Sequence, residues 1–451
     1  MSATDPSSLG PSTGASVPYA WSVVIVLALV YIYAFIDRSV FGILLEPIRT
    51  DLGLSDTEVS LVGSLGFAVC YTLFQLPAGR AADLYNRRNL ILGGIVLWSA
   101  MTAACGLADS FTTLLIGRMG IGLGEAALVP AAYSLICDYF DPRRSPRPLA
   151  AFQTAAPLGA ALALALGGAL LAAFTAAPAL VLPGGRALAP WQAVFLSLGL
   201  AGFLFAALML LVREPPRQVR SAADRETSLR AVFAYLGTIR SFFLPFMAGT
   251  ALMNLVTYGY GAWLPALFVR HFHWAPDVVG YWMGVILLLA GTPAPLLAAS
   301  LARRLVRRGD PAAVLKVIAA GCALLLAGAV ALPLMPTGWS ALAVMVPLQF
   351  AAFIIGGVVP TALMQVAPAR MRAQISSFWL FVGNMVGIGF GATAFALVTD
   401  YVFGDPAALP WSMALVAAAS LSSALAAFCL AIRPFRRLAA QGGTPAAPER
   451  A

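Results

Sequence analysis

Residues 18–45 read PYAWSVVIVLALVYIYAFIDRSVFGILL, an apolar run long enough to cross a bilayer and broken only by Asp37 and Arg38. Residues 111–139, FTTLLIGRMGIGLGEAALVPAAYSLICDY, repeat the anomaly with Arg118 and Glu125. A charge at that depth costs about 2.5 to 3.5 kcal/mol on insertion scales, so it persists where it works or is paired. Nothing comparable interrupts the middle of the second half's helices.

The rest of the chain supports a membrane reading. Of 451 residues, 60% are hydrophobic and 10% charged, too apolar for a soluble protein of this size. Apolar runs give twelve spans near 18–45, 57–78, 89–108, 111–139, 148–174, 191–212, 239–269, 276–301, 312–333, 339–367, 373–402 and 409–432. The expected fold is all-α, with two pseudo-symmetric six-helix bundles at 18–212 and 239–432. A linker at 213–238 joins them, and tails at 1–17 and 433–451 flank them.

The net charge of +9 is a topology signal rather than a polyanion site. With the N-terminus inside, most arginines outside the spans fall on the inner face, while Arg49, Arg186 and Arg270 fall outside. The positive-inside rule then puts both termini in the cytoplasm. The Ser-, Pro- and Gly-rich first 17 residues lack the basic start of a signal peptide and read as a disordered tail. Cys70, Cys105, Cys137, Cys322 and Cys429 lie in or at the ends of spans without CxxC spacing, as small packing residues do.

The halves echo one another. LSDTEVS (Leu54–Ser60) opens the second span with a helix-capping pattern, as WAPDVVG (Trp274–Gly280) opens the eighth. The connection starting REPPR at Arg213 is proline-broken and then polar, with an amphipathic surface helix expected from Thr227. Two parallel repeats account for this layout.

Between the second and third spans lies GRAADLYNRR, Gly79 to Arg88. Here Gly79 would let helices approach, Asp83 would cap a neighbouring helix, and Arg87 and Arg88 would pair with acids at the same face. The string resembles the G-x-x-x-D-R-x-G-R-R signature of the major facilitator superfamily. Leu84 stands in place of a basic residue, and Asn86 in place of a glycine whose left-handed turn it can adopt. The matching SLARRLVRR puts Arg304 where Asp83 stands, so the resemblance implies an inner gate held mainly by the first copy. IDRSVFGILLEPIRTDLGLSDTEVSLVGSLGFAVCYTLFQLPAGRAAD with RMGIGLGEAALVPAAYSLICDYF is similar to the spinster-like branch, where an Asp-Arg pair in the first helix and a Glu in the fourth recur together. RMRAQISSF after the tenth span and REPPR after the sixth are similar too.

Arg118 and Glu125 are seven residues apart and so share a helix face, separated by about 10 Å. Gly120, Gly122 and Gly124 leave that face open to a neighbouring helix or a ligand. With the first span running outward, Asp37 and Arg38 lie about 7 to 9 Å above the midplane. Asp37 then matches Arg118 in depth, and Arg38 reaches down toward Glu125. Separating a buried carboxylate from its guanidinium favours proton uptake, and re-forming the pair favours release. Asp37 and Glu125 are therefore the expected proton carriers, with Arg38 and Arg118 as charge partners or headgroup ligands. The alternative is two permanent salt bridges that specify helix packing.

In the second half, Asn254, Tyr258, Trp263, Gln349, Thr361, Trp379 and Asn384 are candidates to line a cavity, with Met253, Phe353, Phe378 and Phe381 nearby. Each singly is as readily a packing residue. His271 and His273 form an HxH without an accompanying acid or thiol cluster beyond Asp277, and read as interfacial anchors, so no metal is expected. Glu46, Asp51 and Asp56 read as solvated or capping, and Asp138 as a partner of Arg87 or Arg144. Proline and glycine in the fifth span, Pro157, Gly159, Gly167 and Gly168, would permit bending.

The expected function is a proton-coupled secondary transporter working by alternating access. The spinster resemblance implies a lipid-like substrate such as a lysophospholipid or sphingoid amphiphile. A small organic anion or drug is the alternative, and a non-transporting sensor stands behind both. No Walker-type loop, GxSxG or HExxH occurs, which argues against an enzyme. The proton gradient takes the place of a cofactor. The expected partners are substrate, protons and membrane lipid, with no nucleic acid, for a monomer in a bacterial inner membrane.

Overall fold

A computed structural model describes residues 16–140, 145–216, 229–291, 312–368 and 371–440, with isolated positions between 293 and 304. Among these residues, eleven helices are long and apolar enough to cross a membrane. They are α1 (Val17–Asp51), α2 (Asp56–Leu84), α3 (Arg87–Cys105), α4 (Phe111–Tyr139), α5 (Arg147–Ala176), α6 (Pro190–Met209), α7 (Arg240–Arg270), α9 (Ala313–Leu334), α10 (Gly338–Val366), α11 (Gln374–Phe403) and α12 (Pro406–Leu438). A shorter apolar helix, α8 (Pro276–Ala290), stands where the eighth span is expected. The only extended pairing among the described residues is an isolated bridge, Val181 with Ala187, in the loop before α6.

Several helices begin where the sequence supplies a cap. Ser55 and Glu58 form a reciprocal capping box at the start of α2, Ser110 and Thr113 one at α4, and Thr337 and Ser340 one at α10. Breaks follow proline. The α4 helix is interrupted at Ala126–Ala127, directly after Glu125. Pro130 has no N–H to offer the Ala126 carbonyl four residues back, and its ring crowds that oxygen. Similarly, α5 is broken at Thr154, three residues before Pro157.

The chain forms two compact units. In the first, Met1–Ala222 with Pro276–Gly284, α1 packs on α5 and α6, α3 on α4 and α6, and α2 on α4. Glycines of α5 permit close packing. A Cβ on Gly159 would meet Ile32 O at 2.7 Å, and one on Gly168 would meet Pro276 O at 2.7 Å. Gly167 faces Val40 and Ile43. The second unit, Ala223–Ala275 with Val285–Ala451, packs α7 on α11 and α12, and α9 on α10 and α12. There Gly383, Gly387 and Gly391 on α11 let Asn254 and Tyr258 of α7 approach its backbone.

Within the second unit, a helix at Leu229–Thr238 buries Val232 and Leu236 while Arg230 and Phe233 stay exposed. Residues 1–15 and 441–451 of the tails, 217–228 of the linker, and Arg303, Arg307 and Arg308 of the second basic loop lie outside the described residues, as do Arg143, Arg144 and Arg370.

Candidate functional site

The four ionisable residues come together inside the first unit. Asp37, Arg118 and Glu125 are fully buried, and Arg38 is nearly so. Adjacent positions on α1 point about 100° apart, and the two side chains accordingly meet different helices. Arg38 Nη2 donates to Glu125 Oε2 at 2.6 Å, an ion pair between α1 and α4. Asp37 turns to α3, where the Thr102 hydroxyl donates to its Oδ2.

The match of Asp37 with Arg118 expected from depth does not become a salt bridge. Arg118 instead donates from Nη2 to the Gly63 carbonyl of α2 at 3.0 Å. That carbonyl is available because α2 widens into a π-helical turn over Leu61–Gly66. Gly63 also lacks a side chain that would collide with the Phe41 ring. Arg118 Nε and Nη1, Asp37 Oδ1 and Glu125 Oε1 make no hydrogen bond with protein. One acid–base pair is therefore closed and the other open.

Aromatic faces hold both guanidinium groups. Arg38 lies 5.0 Å from the Phe35 ring centroid, 4.7 Å from Phe67 and 4.6 Å from Tyr71, and Arg118 lies 4.9 Å from Phe41 and 5.5 Å from Phe67. Phe67 thus serves both cations, supplying part of the stabilisation that water would give them. The glycines of α4 are used by helices rather than left open to a ligand. A Cβ on Gly122 would lie 2.4 Å from Phe67 O, and one on Gly124 would lie 2.8 Å from Trp98 N. Gly120 faces Met101.

Thr102, Gly63, Phe41, Phe67 and Tyr71 escaped the sequence reading. For Thr102 a signal exists: Ser99 and Thr102 lie three apart in an otherwise apolar helix, so they share a face. Both meet α1, since the Tyr33 hydroxyl lies 3.4 Å from Ser99 Oγ and donates to Leu198 O at 3.1 Å.

At the end of this unit carrying the basic loop, Arg87 is buried against two acids. It pairs with Asp138 and, from Nε, with Glu214 at 2.7 Å, and it donates to Ser134 at 2.8 Å. The Arg88 side chain binds the last carbonyls of α6, Met209 O and Leu210 O, and only its backbone N–H meets Glu214. Asp83 is exposed, and the cap at the start of α3 is Asn86, whose side chain accepts from the Asn89 N–H. Asn86 is accordingly extended, φ −63° and ψ 114°, not left-handed. Gly79 makes no close approach within its unit, for a Cβ there would meet only Pro130, at 4.0 Å.

Two of the acids expected to be solvated or capping are held by side chains, Asp56 within the first turn of α2. Asp56 is buried 3.6 Å from Arg49, and Asp51 accepts from Trp191 Nε1 at 2.9 Å.

The second unit disperses its candidates. Asn254 and Tyr258 stand together beside Gly383 and Gly387. Trp263 is no lining residue: it is fully buried, with Nε1 donating to Ala392 O at 2.8 Å and Arg270 over its ring. Gln349 and Asn384 are half-buried and Thr361 is exposed. Trp379 is half-buried, with an indole N–H that makes no hydrogen bond. His271 packs edge-on against Phe272, and no group of three or more metal-ligating side chains occurs among the described residues.

Comparison with known proteins places this architecture. The Major Facilitator Superfamily model matches residues 27–392. An MFS-type efflux pump of Mycolicibacterium smegmatis is 31% identical over 66% of this chain and 66% of its own length. Protein spinster homolog 1 of Rattus norvegicus is 28% identical over 57% of this chain and 47% of its own. The chain thus spans under two thirds of these curated relatives. A crystal structure of a bacterial homolog to the human lysosomal transporter Spinster, in an inward-facing and unoccupied conformation, superposes with a TM-score of 0.78. At 23% identity, covering 95% of this chain and 98% of that one, it shows a shared fold. With a family model matched over most of its length, this multi-pass membrane protein belongs to the Major Facilitator Superfamily, a family of transporters rather than enzymes.

Proposed function

We propose that the protein is a proton-coupled secondary transporter that works by alternating access and moves a lipid-like amphiphile, a lysophospholipid or sphingoid lipid. The observation that carries the coupling is the asymmetry of the buried cluster: Arg38 and Glu125 are paired, whereas Asp37 and Arg118 are not paired to each other. In a low-dielectric interior a carboxylate without a guanidinium partner is the one able to take a proton, and a paired one holds its charge. Asp37 is therefore the carrier in this state. Glu125 becomes one when Arg38 leaves it, and the arginines remain cations throughout.

The amphiphile rests on the resemblance to spinster proteins and on apolar helix faces. The second reading, a small organic anion, is favoured by Arg118, whose Nε and Nη1 are unbonded and suited to a carboxylate. The Arg-over-Lys, Ala-rich composition supports a bacterial inner membrane, and the distribution of arginine supports cytoplasmic termini.

Thermal-shift screening of lysophosphatidylcholine, sphingosine and glucuronate selects the probe. Its flux is then followed in proteoliposomes with and without an imposed pH gradient. The parent should respond to the gradient, and folded Asp37→Asn and Glu125→Gln should not. A gradient response equal to the parent's in both variants contradicts proton coupling through these residues.

A further inference from the structure

Thr102 sits between two acceptors. Its Oγ1 is hydrogen-bonded to Asp37 Oδ2 and also lies 2.9 Å from the Trp98 carbonyl one turn back on α3. A hydroxyl has one proton and two lone pairs, so it cannot donate to both at once. A helical threonine commonly bonds the carbonyl four residues back. Thr257 and Thr399 do so, to Met253 O and Phe395 O. Thr102 alone among these three has an acid as its second partner.

We propose that Thr102 is the positioning residue for Asp37, turning its one hydroxyl proton toward the ionised carboxylate and toward the Trp98 carbonyl when the carboxyl is protonated. In the first state Thr102 O–H donates to Asp37 Oδ2. When a proton from water arrives on Oδ2, Asp37 O–H donates to a lone pair of Thr102 Oγ1, and the threonine proton rotates to Trp98 O. No covalent bond other than the new carboxyl O–H is made. Both states leave Oδ2 and Oγ1 hydrogen-bonded to each other, while the Trp98 carbonyl keeps its backbone bond within α3 in either.

Other charged or titratable groups near Asp37 lack this freedom. Arg38 on its own helix is engaged by Glu125, and the Tyr33 hydroxyl donates to Leu198 O. Cys105 of α3 and Arg118 and Glu125 of α4 act on Asp37 only through space. Tyr71 of α2 faces Arg38. The packed segments of α5 and α6, Ala155–Ala176 and Pro190–Met209, contain no titratable side chain.

This inference rests on Asp37 being the proton carrier, and infrared spectroscopy tests it without transport. In the reconstituted full-length protein, the carbonyl stretch of the protonated Asp37 carboxyl is titrated with pH, assigned by its loss in Asp37→Asn. A hydrogen bond to a charged acceptor outweighs one to a neutral group, so Thr102→Val should move the band's midpoint about one unit to higher pH. The stretch should also rise in frequency as its acceptor is lost. Thr102→Ala gives the same reading without the β-branch, and Thr102→Ser should retain the parent's midpoint. A midpoint unchanged in valine and alanine, or moved as far by serine, overturns the proposal. So does an Asp37 band absent at every pH. Flux in Asp37→Asn that still follows a pH gradient would instead sink the transport reading, leaving the titration to judge Thr102 separately.

Discussion

Arg38 with Glu125 and Asp37 with Arg118 are the same chemistry in the same two helices, yet one pair is joined and the other is parted. The closed pair is direct and at 2.6 Å, so its two desolvated charges offset one another. The open pair is held by neutral groups: a threonine hydroxyl for the acid, a glycine carbonyl and two aromatic faces for the base. Such partners position a charge without neutralising it. The closed pair therefore reads as a lock between α1 and α4, and the open pair as the exchangeable element.

The largest expected effect falls on the lock. Glu125→Gln leaves Arg38 without its counter-charge and should destabilise the first unit by about 3 to 5 kcal/mol, read as a drop in the tryptophan-fluorescence melting temperature. Replacing both partners, Arg38→Met with Glu125→Leu, should recover much of that loss. If the double variant is no more stable than the single, the two residues are not acting as a pair. Arg87→Gln, which takes the guanidinium away from Asp138 and Glu214, should cost slightly less, because both acids keep part of their contact with water.

Helix packing around the cluster comes next. Gly122→Ala drives a Cβ to 2.4 Å from the Phe67 carbonyl and should cost about 1 to 3 kcal/mol. Since Phe67 faces both arginines, the gradient response of flux should weaken with it. Gly79→Ala is the control, and should leave the melting temperature level or slightly raised. Equal losses in the two would mean that α2 and α4 do not pack as described.

The smallest stability effect belongs to the open pair. Asp37→Asn keeps an oxygen for the Thr102 hydroxyl, so its melting temperature should stay within about 1 kcal/mol equivalent of the parent. A destabilisation as large as that of Glu125→Gln would show Asp37 to be a structural anchor.

Much of this was legible in the sequence, for reasons that differ by residue. Hydrophobic runs mark spans directly, so α7, expected at 239–269, is found at Arg240–Arg270. The reach of Arg38 to Glu125 followed from helical rise alone. Asp37 was harder, because its partner is a neutral threonine on a third helix and depth matching considers only charges. The Gly63 carbonyl was hidden more deeply, since it depends on a π-helical turn that no side-chain pattern announces. In the basic loop, family likeness suggested a left-handed turn at Asn86, but its backbone is extended and it caps α3.

The central claim is that Asp37 exchanges the coupled proton while Arg38 and Glu125 stay locked in this state. Proteoliposomes enclosing a pH-sensitive dye test it most directly, by counting protons moved per molecule of lysophosphatidylcholine or glucuronate, whichever stabilises the protein. The account predicts proton movement with the probe in the parent and none in folded Asp37→Asn. Proton movement in Asp37→Asn equal to the parent's, at equal probe flux, would contradict it.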